Sequence, residues 1–417
     1  MKKIVLLSLS ALSLFALDIN EAIQRAMQNN PSLKEKEFLF QASKEDTNLV
    51  SAGFKPTLDL SYGYSRFSKE SFVGANSASA ADAVLGYNLF NGFADKFNLK
   101  SSEENEKVAY FTHGATKADL RLQVYLAYIN YLRAQKQILV AQDTIKLLEQ
   151  QLHDAQNFYE QGLFAKNDYL QVDVELSSAQ QALLTSKRDI KIAFYKLKRL
   201  LGSQLQKDEK IEDVTRKQKD LLLPKLKDSM LKNRSELKLL KAQKRSLEYA
   251  YEASASNYYP KVDAEARYQL AGEDIIPDGG ATFQIHEQGT ATINLSWNLY
   301  QGGADEANRA SLLYQESASN EQLNSLYLEL DFQLEQATEA YELAKNQIKV
   351  AEKALEQAKE NFRITKNQFD ANIANTTLML DAQRFLARTQ VNYYSAYFAL
   401  YDAMGEIERV IEEEYFN

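Results

Sequence analysis

Two hydrophobic periods alternate along this chain. Short stretches switch between apolar and polar at every residue, which is the signature of strands with one buried or lipid-facing side. In 56–67 the apolar set is Leu58, Leu60, Tyr62 and Tyr64, against Asp59, Ser61, Gly63 and Ser65. In 83–91 it is Leu85, Tyr87 and Leu89. In 260–270, Val262, Ala264, Ala266, Tyr268 and Leu270 face one way, and Lys261, Asp263, Glu265, Arg267 and Gln269 the other. In 290–301, Ala291, Ile293, Leu295, Trp297 and Leu299 alternate with Thr292, Asn294, Ser296 and Asn298. Four strands of about ten residues are predicted, a length that fits either an ordinary antiparallel sheet on a core or the strands of a membrane barrel.

The second period is helical. Leu120, Val124, Ala127, Tyr131, Ala134, Ile138, Ala141, Ile145, Leu148, Leu152, Ala155 and Tyr159 step by four and three without a break. This heptad seam predicts a coiled-coil helix. A helix of about 65 residues is about 100 Å long, more than a globular domain needs. Leu176, Ala179, Leu183, Ser186, Ile190, Ala193, Leu197 and Leu200 predict a return helix, so that 95–202 forms a long hairpin. A second hairpin is predicted over 303–413, outgoing through Leu330, Leu334, Ala337, Tyr341, Ala344, Ile348, Ala351, Leu355, Ala358, Phe362 and Phe369. It returns through Leu386, Thr389, Tyr393, Ala396, Leu400 and Ala403, and reaches Gly405 about a heptad sooner than the first return helix reaches Gly202. The turns fall at Gly162-Leu163 and Asn372-Ile373, where Gly and Asn suit a left-handed helix end.

The two hairpins are copies. Tyr87-Asn88-Leu89-Phe90-Asn91-Gly92-Phe93-Ala94-Asp95 returns as Trp297-Asn298-Leu299-Tyr300-Gln301-Gly302-Gly303-Ala304-Asp305, and the seams continue in the same register. The chain therefore reads as two structural repeats, 18–202 and 221–417, joined by a charged stretch at 203–220. The connections at 68–82 and 271–289 are polar and read as exposed loops, at the end of the strands away from the helices.

Composition narrows the compartment. Residues 1–16 carry Lys2 and Lys3, an apolar run to Phe15 and then Ala16, the pattern of a secretory signal peptide. Removing Lys2 and Lys3 takes the 49 basic residues to 47 against 57 acidic, a net charge near −10 that argues against nucleic acid as a partner. With no cysteine there is no disulfide framework and no thiol chemistry. Past the leader no apolar run is long enough for a membrane helix, so an integral membrane form would have to cross by strands closed into a barrel. Four strands cannot close one, since about eight is the smallest number known. Several chains would have to pool theirs, eight strands for a dimer or twelve for a trimer.

The order helix, strand pair, long helical hairpin, repeated behind a signal peptide, resembles the TolC-like outer-membrane efflux proteins over the mature chain. The residues that carry it are Asn30-Pro31-Ser32-Leu33 and its echo Arg234-Ser235-Glu236-Leu237, Pro56 and Pro260, the Asn-Leu-Phe/Tyr-x-Gly strand ends, and Leu380-Asp381-Ala382-Gln383. The resemblance implies a mostly helical fold with a membrane β-barrel. In it a homotrimer pools twelve strands in the outer membrane of a Gram-negative bacterium and continues as a periplasmic α-barrel tunnel closed at its tip. It implies a periplasmic adaptor protein and an inner-membrane transporter as partners, outer-membrane lipid around the barrel, and no cofactor. By the same resemblance Gly162, Leu163, Asn372 and Ile373 meet the adaptor. In the family's best-known member two aspartates after the second tip ring the aperture; here the nearer position holds Leu378 and the farther Asp381. Asp168 and Phe369 occupy the positions of an aspartate and its aromatic partner, with no hydroxyl on Phe369 to complete a latch. A constriction of Leu378, Asp381, Asp168 and Phe369 is expected, partly apolar with one acidic ring that favours cations. For Asp381 the plain alternative is a solvated helix face, and for Asp168 a charge at a helix N-terminus. Trp297, Tyr87, Tyr62, Tyr64 and Tyr268 suit interfacial girdles.

The function expected is the exit duct of a tripartite efflux or type I secretion system. Its rival is a periplasmic or surface coiled-coil scaffold or adhesin, which leaves the four duplicated amphipathic strands without a purpose. An enzyme is not expected: His113, His153 and His286 are scattered, and no nucleophile motif or phosphate loop is present.

Overall fold

The computed structural model describes residues 17–69, 76–202, 209–278, 286–371 and 373–416. The expected signal peptide, part of the 203–220 stretch and Asn372 lie outside the described residues. In chain order the elements are α1 (Ile19–Asn29), α2 (Pro31–Ser51), β1 (Thr57–Arg66), β2 (Ser77–Asn91), α3 (Ala94–Glu160) and α4 (Lys166–Leu201). The second half supplies α5 (Leu223–Asn233), α6 (Ser235–Ser254), β3 (Lys261–Gly272), β4 (Glu287–Ser296), α7 (Ala304–Asp370) and α8 (Thr376–Ile411). No described helix is long and apolar enough to cross a membrane.

The repeats are interleaved. Among the described residues, one compact unit joins 17–35, 114–235 and 328–416, and the other joins 36–113 and 236–327, so each draws on both halves of the sequence. The second unit holds the sheet, in the order β1-β2-β3-β4 and antiparallel throughout. Its register gathers the apolar positions on one side. Leu58, Leu60 and Tyr62 stand opposite Leu85, Ala83 and Ala81. These pair on to Ala266, Tyr268 and Leu270, and Ala264 and Val262 meet Ile293 and Leu295. The other side carries Asp59, Ser61, Asp82, Glu265, Arg267, Gln269, Thr290 and Thr292, by alternation.

The strand limits differ from the sequence reading in both directions. β2 starts at Ser77 rather than about Ala83, because the Ser/Ala run that reads as a loop still has backbone groups for Tyr62, Tyr64 and their neighbours on β1. β4 stops at Ser296, leaving Trp297–Tyr300 beyond the ladder. The cause is on β3: its first paired residue is Lys261, and Pro260 before it has no N–H to donate. A bulge between Asn88 and Phe90 also sets Phe90, not Leu89, opposite Val262.

In the same unit the helical stretches flanking the sheet meet through polar pairs. Ser101 Oγ donates to the Ser246 carbonyl at 3.0 Å, and Arg245 Nε donates to Glu104 Oε2 at 3.1 Å. Arg309 lies over the Tyr251 ring at 4.1 Å.

In the first unit the heptad seams are the core. Leu120, Val124, Ala127, Ala134, Leu148 and Ala155 are buried on α3, and Leu330, Leu334, Ala337, Tyr341, Ala344 and Ala358 on α7. Tyr159, the last position of the first seam, is exposed. Both return helices have 36 residues. Gly405, a heptad earlier in its repeat than Gly202, lies inside α8 rather than at its end, and its missing Cβ leaves room for Tyr125, whose ring carbon would lie 2.6 Å away. α8 ends instead at Glu412, left-handed at φ 48°, as α4 ends at Gly202 with φ 60°.

The Asn30/Arg234 echo acts on those two helix ends. Asn30 Nδ2 donates to the Leu200 carbonyl at 2.9 Å, and Arg234 Nη1 donates to the Arg409 carbonyl at 2.6 Å. The charged stretch at 209–220 is a strap over the helices. Leu17 bridges Ile211, and the Arg216 guanidinium donates to Glu408 Oε2 at 2.9 Å. The two side chains of that pair are only 6% and 8% exposed. Glu408 Oε1 accepts the N–H groups of Tyr415 and Phe416, which ties down the C-terminal tail.

Candidate functional site

Each hairpin closes by the same backbone device. The N–H of Leu163 donates to the Phe158 carbonyl at 2.8 Å, and that of Ile373 to the Gln368 carbonyl at 2.8 Å. Gly162 takes φ 77° in open space, the left-handed position that ends a helix without a Cβ penalty. Leu163 and Ile373 are both exposed at the ends of their hairpins.

The return helices start by complementary means. α8 has Asn375 at its N-cap, whose Oδ1 accepts the Leu378 N–H at 2.9 Å. α4 has Ala165 there, and the carboxylate comes from three residues on, where Asp168 Oδ2 accepts the Ala165 N–H at 3.3 Å. Asp168 and Leu378 are thus equivalent positions. The polar group sits at the cap in one tip and inside the first turn in the other, where a negative charge also meets the helix dipole. Asp168 therefore serves the start of its own helix, and Leu378 stands exposed on the corresponding turn.

Phe369 is 5% exposed, and its ring meets Phe164 edge-on at 5.8 Å. Phe164 in turn lies 4.9 Å from Phe158, so the three rings join the two tips within one chain. Behind them Leu380 of α8 packs with Leu148 and Ala155 of α3 and with Val172 and Leu176 of α4. Polar contacts follow the same line: Thr377 Oγ1 lies 3.3 Å from Gln171 Oε1, and Gln383 Nε2 donates to the Thr144 carbonyl at 3.4 Å.

Asp381 is exposed but not alone. Arg384 Nη2 donates to its Oδ1 at 2.9 Å, and Arg384 Nε lies 3.8 Å from Glu175 on α4. A groove of about 460 Å³ between α3, α4 and α8 has Arg384 and Arg388 on one wall and Thr144, Glu175 and Ser178 opposite. The acidic position expected from Asp381 is thus followed along α8 by two cations. Their spacing of three and seven residues from Asp381 puts them on one helix face, a signal present in the sequence. Phe164, the partner of Phe369, carries no such signal, because it lies in a turn where no period operates.

Tyr62, Tyr64, Tyr87 and Tyr268 on the sheet, and Trp297 just past the end of β4, are all exposed. Tyr62, Tyr64 and Tyr268 stand near the loop end of the strands, and Tyr87 and Trp297 toward the helices. Leu58, Leu60, Leu85, Ile293 and Leu295 are exposed between them. A sheet face that exposes this many large apolar side chains belongs to a protein that meets lipid or a partner rather than water.

A sheet with such a face, joined to helical hairpins of this length, defines the class of outer-membrane channels. The family model described as Outer membrane efflux protein matches residues 22–203 and 226–409, and the chain belongs to that family. It is an outer-membrane protein of the Gram-negative type, in a family of channels rather than enzymes. Among solved structures, the chain resembles the CmeC outer membrane channel of Campylobacter jejuni with a TM-score of 0.85 at 12% identity, covering 95% of this chain and 86% of that one. The open state of the MtrE outer membrane channel of Neisseria gonorrhoeae gives 0.80 at 15% identity, over 98% and 94%. The outer membrane protein VceC of Vibrio cholerae gives 0.81 at 14% identity, over 95% and 96%. No curated protein matches the chain by sequence.

Proposed function

We propose that three copies of this chain pool their sheets into a twelve-stranded barrel and their hairpins into a periplasmic tunnel, the exit duct of a tripartite efflux or type I secretion system. One observation carries the reading: a four-stranded sheet whose apolar face exposes Leu58, Leu60, Leu85, Ile293 and Leu295, and whose edges β1 and β4 have no partner among the described residues. In lipid an open edge leaves backbone groups without hydrogen bonds, at a cost of several kcal/mol each, so such a sheet must be completed by further copies. The spacing of the aromatics supports a bilayer crossing. From Leu270, level with Tyr62, to Lys261, beside the end of β4, is about 30 Å along the strand, or about 23 Å of membrane normal at a tilt of about 40°.

At the other end the hairpin tips form the gate. Leu378 and Asp381 narrow the aperture, with Arg384 tempering the acidic charge. Opening draws α8 away from α3 and α4, along the line of Phe369, Thr377, Leu380 and Gln383. The hairpin tips, through Gly162 and the exposed Leu163 and Ile373, with Asn372 beside them in sequence, receive a periplasmic adaptor, which couples the duct to an inner-membrane transporter.

The test is electrical. Protein purified in mild detergent is expected to run as a heat-labile species of three chains and to give discrete current steps in a planar bilayer. A folded single chain that inserts without conducting would return the protein to the scaffold reading.

A further inference from the structure

The segment that follows β3 does not project from the sheet; it folds back onto it. Gly272 is buried where the chain turns, and a Cβ there would lie 2.8 Å from the Cα of Pro277. The next residues cross toward β2 and β1 and are fastened by hydroxyls. Ser79 Oγ donates to the Gly272 carbonyl at 3.3 Å, and Ser77 Oγ to the Glu273 carbonyl at 2.5 Å. The Tyr62 hydroxyl donates to the Ile275 carbonyl. By the strand register Tyr62, Ser77 and Ser79 all belong to the apolar side of the sheet, in line with Leu60, Ala81 and Ala83. The segment therefore lies against the face that carries Leu58, Leu85 and Ile293, at the level of Tyr62 and Tyr64. There it presents two large aliphatic side chains outward, Ile275 at 67% and Ile276 at 69% exposure.

This arrangement makes little sense in water. A solvated loop has no need to have its carbonyls covered by side-chain hydroxyls, because water satisfies them. Against lipid every non-ladder carbonyl is costly unless a donor is supplied. Two are supplied here beyond the end of β3, Glu273 by Ser77 and Ile275 by Tyr62, on a face where apolar residues are otherwise the rule, and Ser79 adds a bond to the Gly272 carbonyl. The small serines also leave the space in which the segment lies: Ser79 is 3% exposed beneath it.

We propose that residues 273–278 form a lipid-facing flap, whose Ile275 and Ile276 side chains enter the outer-leaflet boundary of the membrane beside the aromatic girdle. The inference rests on the reading of the sheet as part of a membrane barrel. It adds an anchoring surface outside the strands, continuous with their apolar face. The partner is the lipid surface itself. The β3–β4 connection, residues 273–286, is four residues longer than the β1–β2 connection, residues 67–76.

The experiment uses the full chain reconstituted in phosphatidylcholine vesicles, with Trp297→Phe as background and one tryptophan introduced at a time. Ile276→Trp is expected to be quenched by lipids brominated near the headgroup and shielded from aqueous iodide. Ile293→Trp, on the strand face, is the control and is expected to be quenched by bromines deep in the acyl chains. Iodide quenching of Ile276→Trp with no effect of bromolipid, while Ile293→Trp reports lipid, overturns the flap alone. Failure of Ile293→Trp to sense any bromolipid overturns the barrel reading on which it rests. Adding Tyr62→Phe removes one fastening and is expected to raise the ratio of open to closed flap about five-fold, the weight of one hydrogen bond, read as greater iodide access at position 276. Unchanged access would show that the hydroxyl does not hold the flap.

Discussion

At the scale of single residues the two tips solve one problem twice. Asn375 caps α8 from the cap position, whereas α4 begins at an alanine and borrows the carboxylate of Asp168. That leaves Asp381 as the acidic residue to consider in the aperture, and its neighbour decides its effect. With Arg384 at 2.9 Å the local pair is close to neutral, and Arg388 follows on the same face. A unit charge about 4 Å from an ion in water-like surroundings is worth about 1 kcal/mol, or about five-fold in a permeability ratio. Asp381→Asn is therefore expected to move the reversal potential under a salt gradient toward anion preference by that order. Arg384→Gln is expected to move it toward cations, and the double variant to stay near the wild type. If both single variants leave the reversal potential where it was, neither side chain faces the ion path.

At the scale of elements the decisive contact is between α8 and the first hairpin. Phe369 and Phe164 form its apolar end, and truncating a buried phenylalanine typically costs about 3–5 kcal/mol. Phe369→Ala is expected to loosen the tip, raising the fraction of time spent in the larger conductance level while the helical content stays unchanged by circular dichroism. An unaltered open fraction would show that the rings do not hold the gate. This contact also marks how far the sequence could be read. The seams of α3 and α7 were legible because burial repeats every three and four residues, and the strand faces because it repeats every two. The strand ends were not, since pairing depends on what lies alongside: alanines at 78–83 are recruited by β1, and Trp297 is released because β3 has no donor left at Pro260. The Phe164–Phe369 and Arg384–Glu175 contacts join residues about 200 positions apart, and no local pattern encodes them.

At the scale of the molecule the strap and the tail share one buried ion pair, Arg216 with Glu408. Removing one partner of such a pair strands the other, which typically costs about 3–5 kcal/mol. Glu408→Ala leaves Arg216 without its carboxylate and the Tyr415 and Phe416 N–H groups without an acceptor. It is expected to lower the unfolding midpoint in detergent and to speed proteolysis of the C-terminal tail; an unchanged cleavage rate would mean that the tail is held elsewhere. The interleaving of the repeats has a consequence in time. β2 finds its inner neighbour in β3, which emerges only after the whole first helical hairpin and the strap have been translocated. Until then the β1–β2 ribbon waits with a greasy side and a naked edge, the pair of features that invites aggregation. The β1–β2 ribbon is therefore the part of the incoming chain expected to need protection longest.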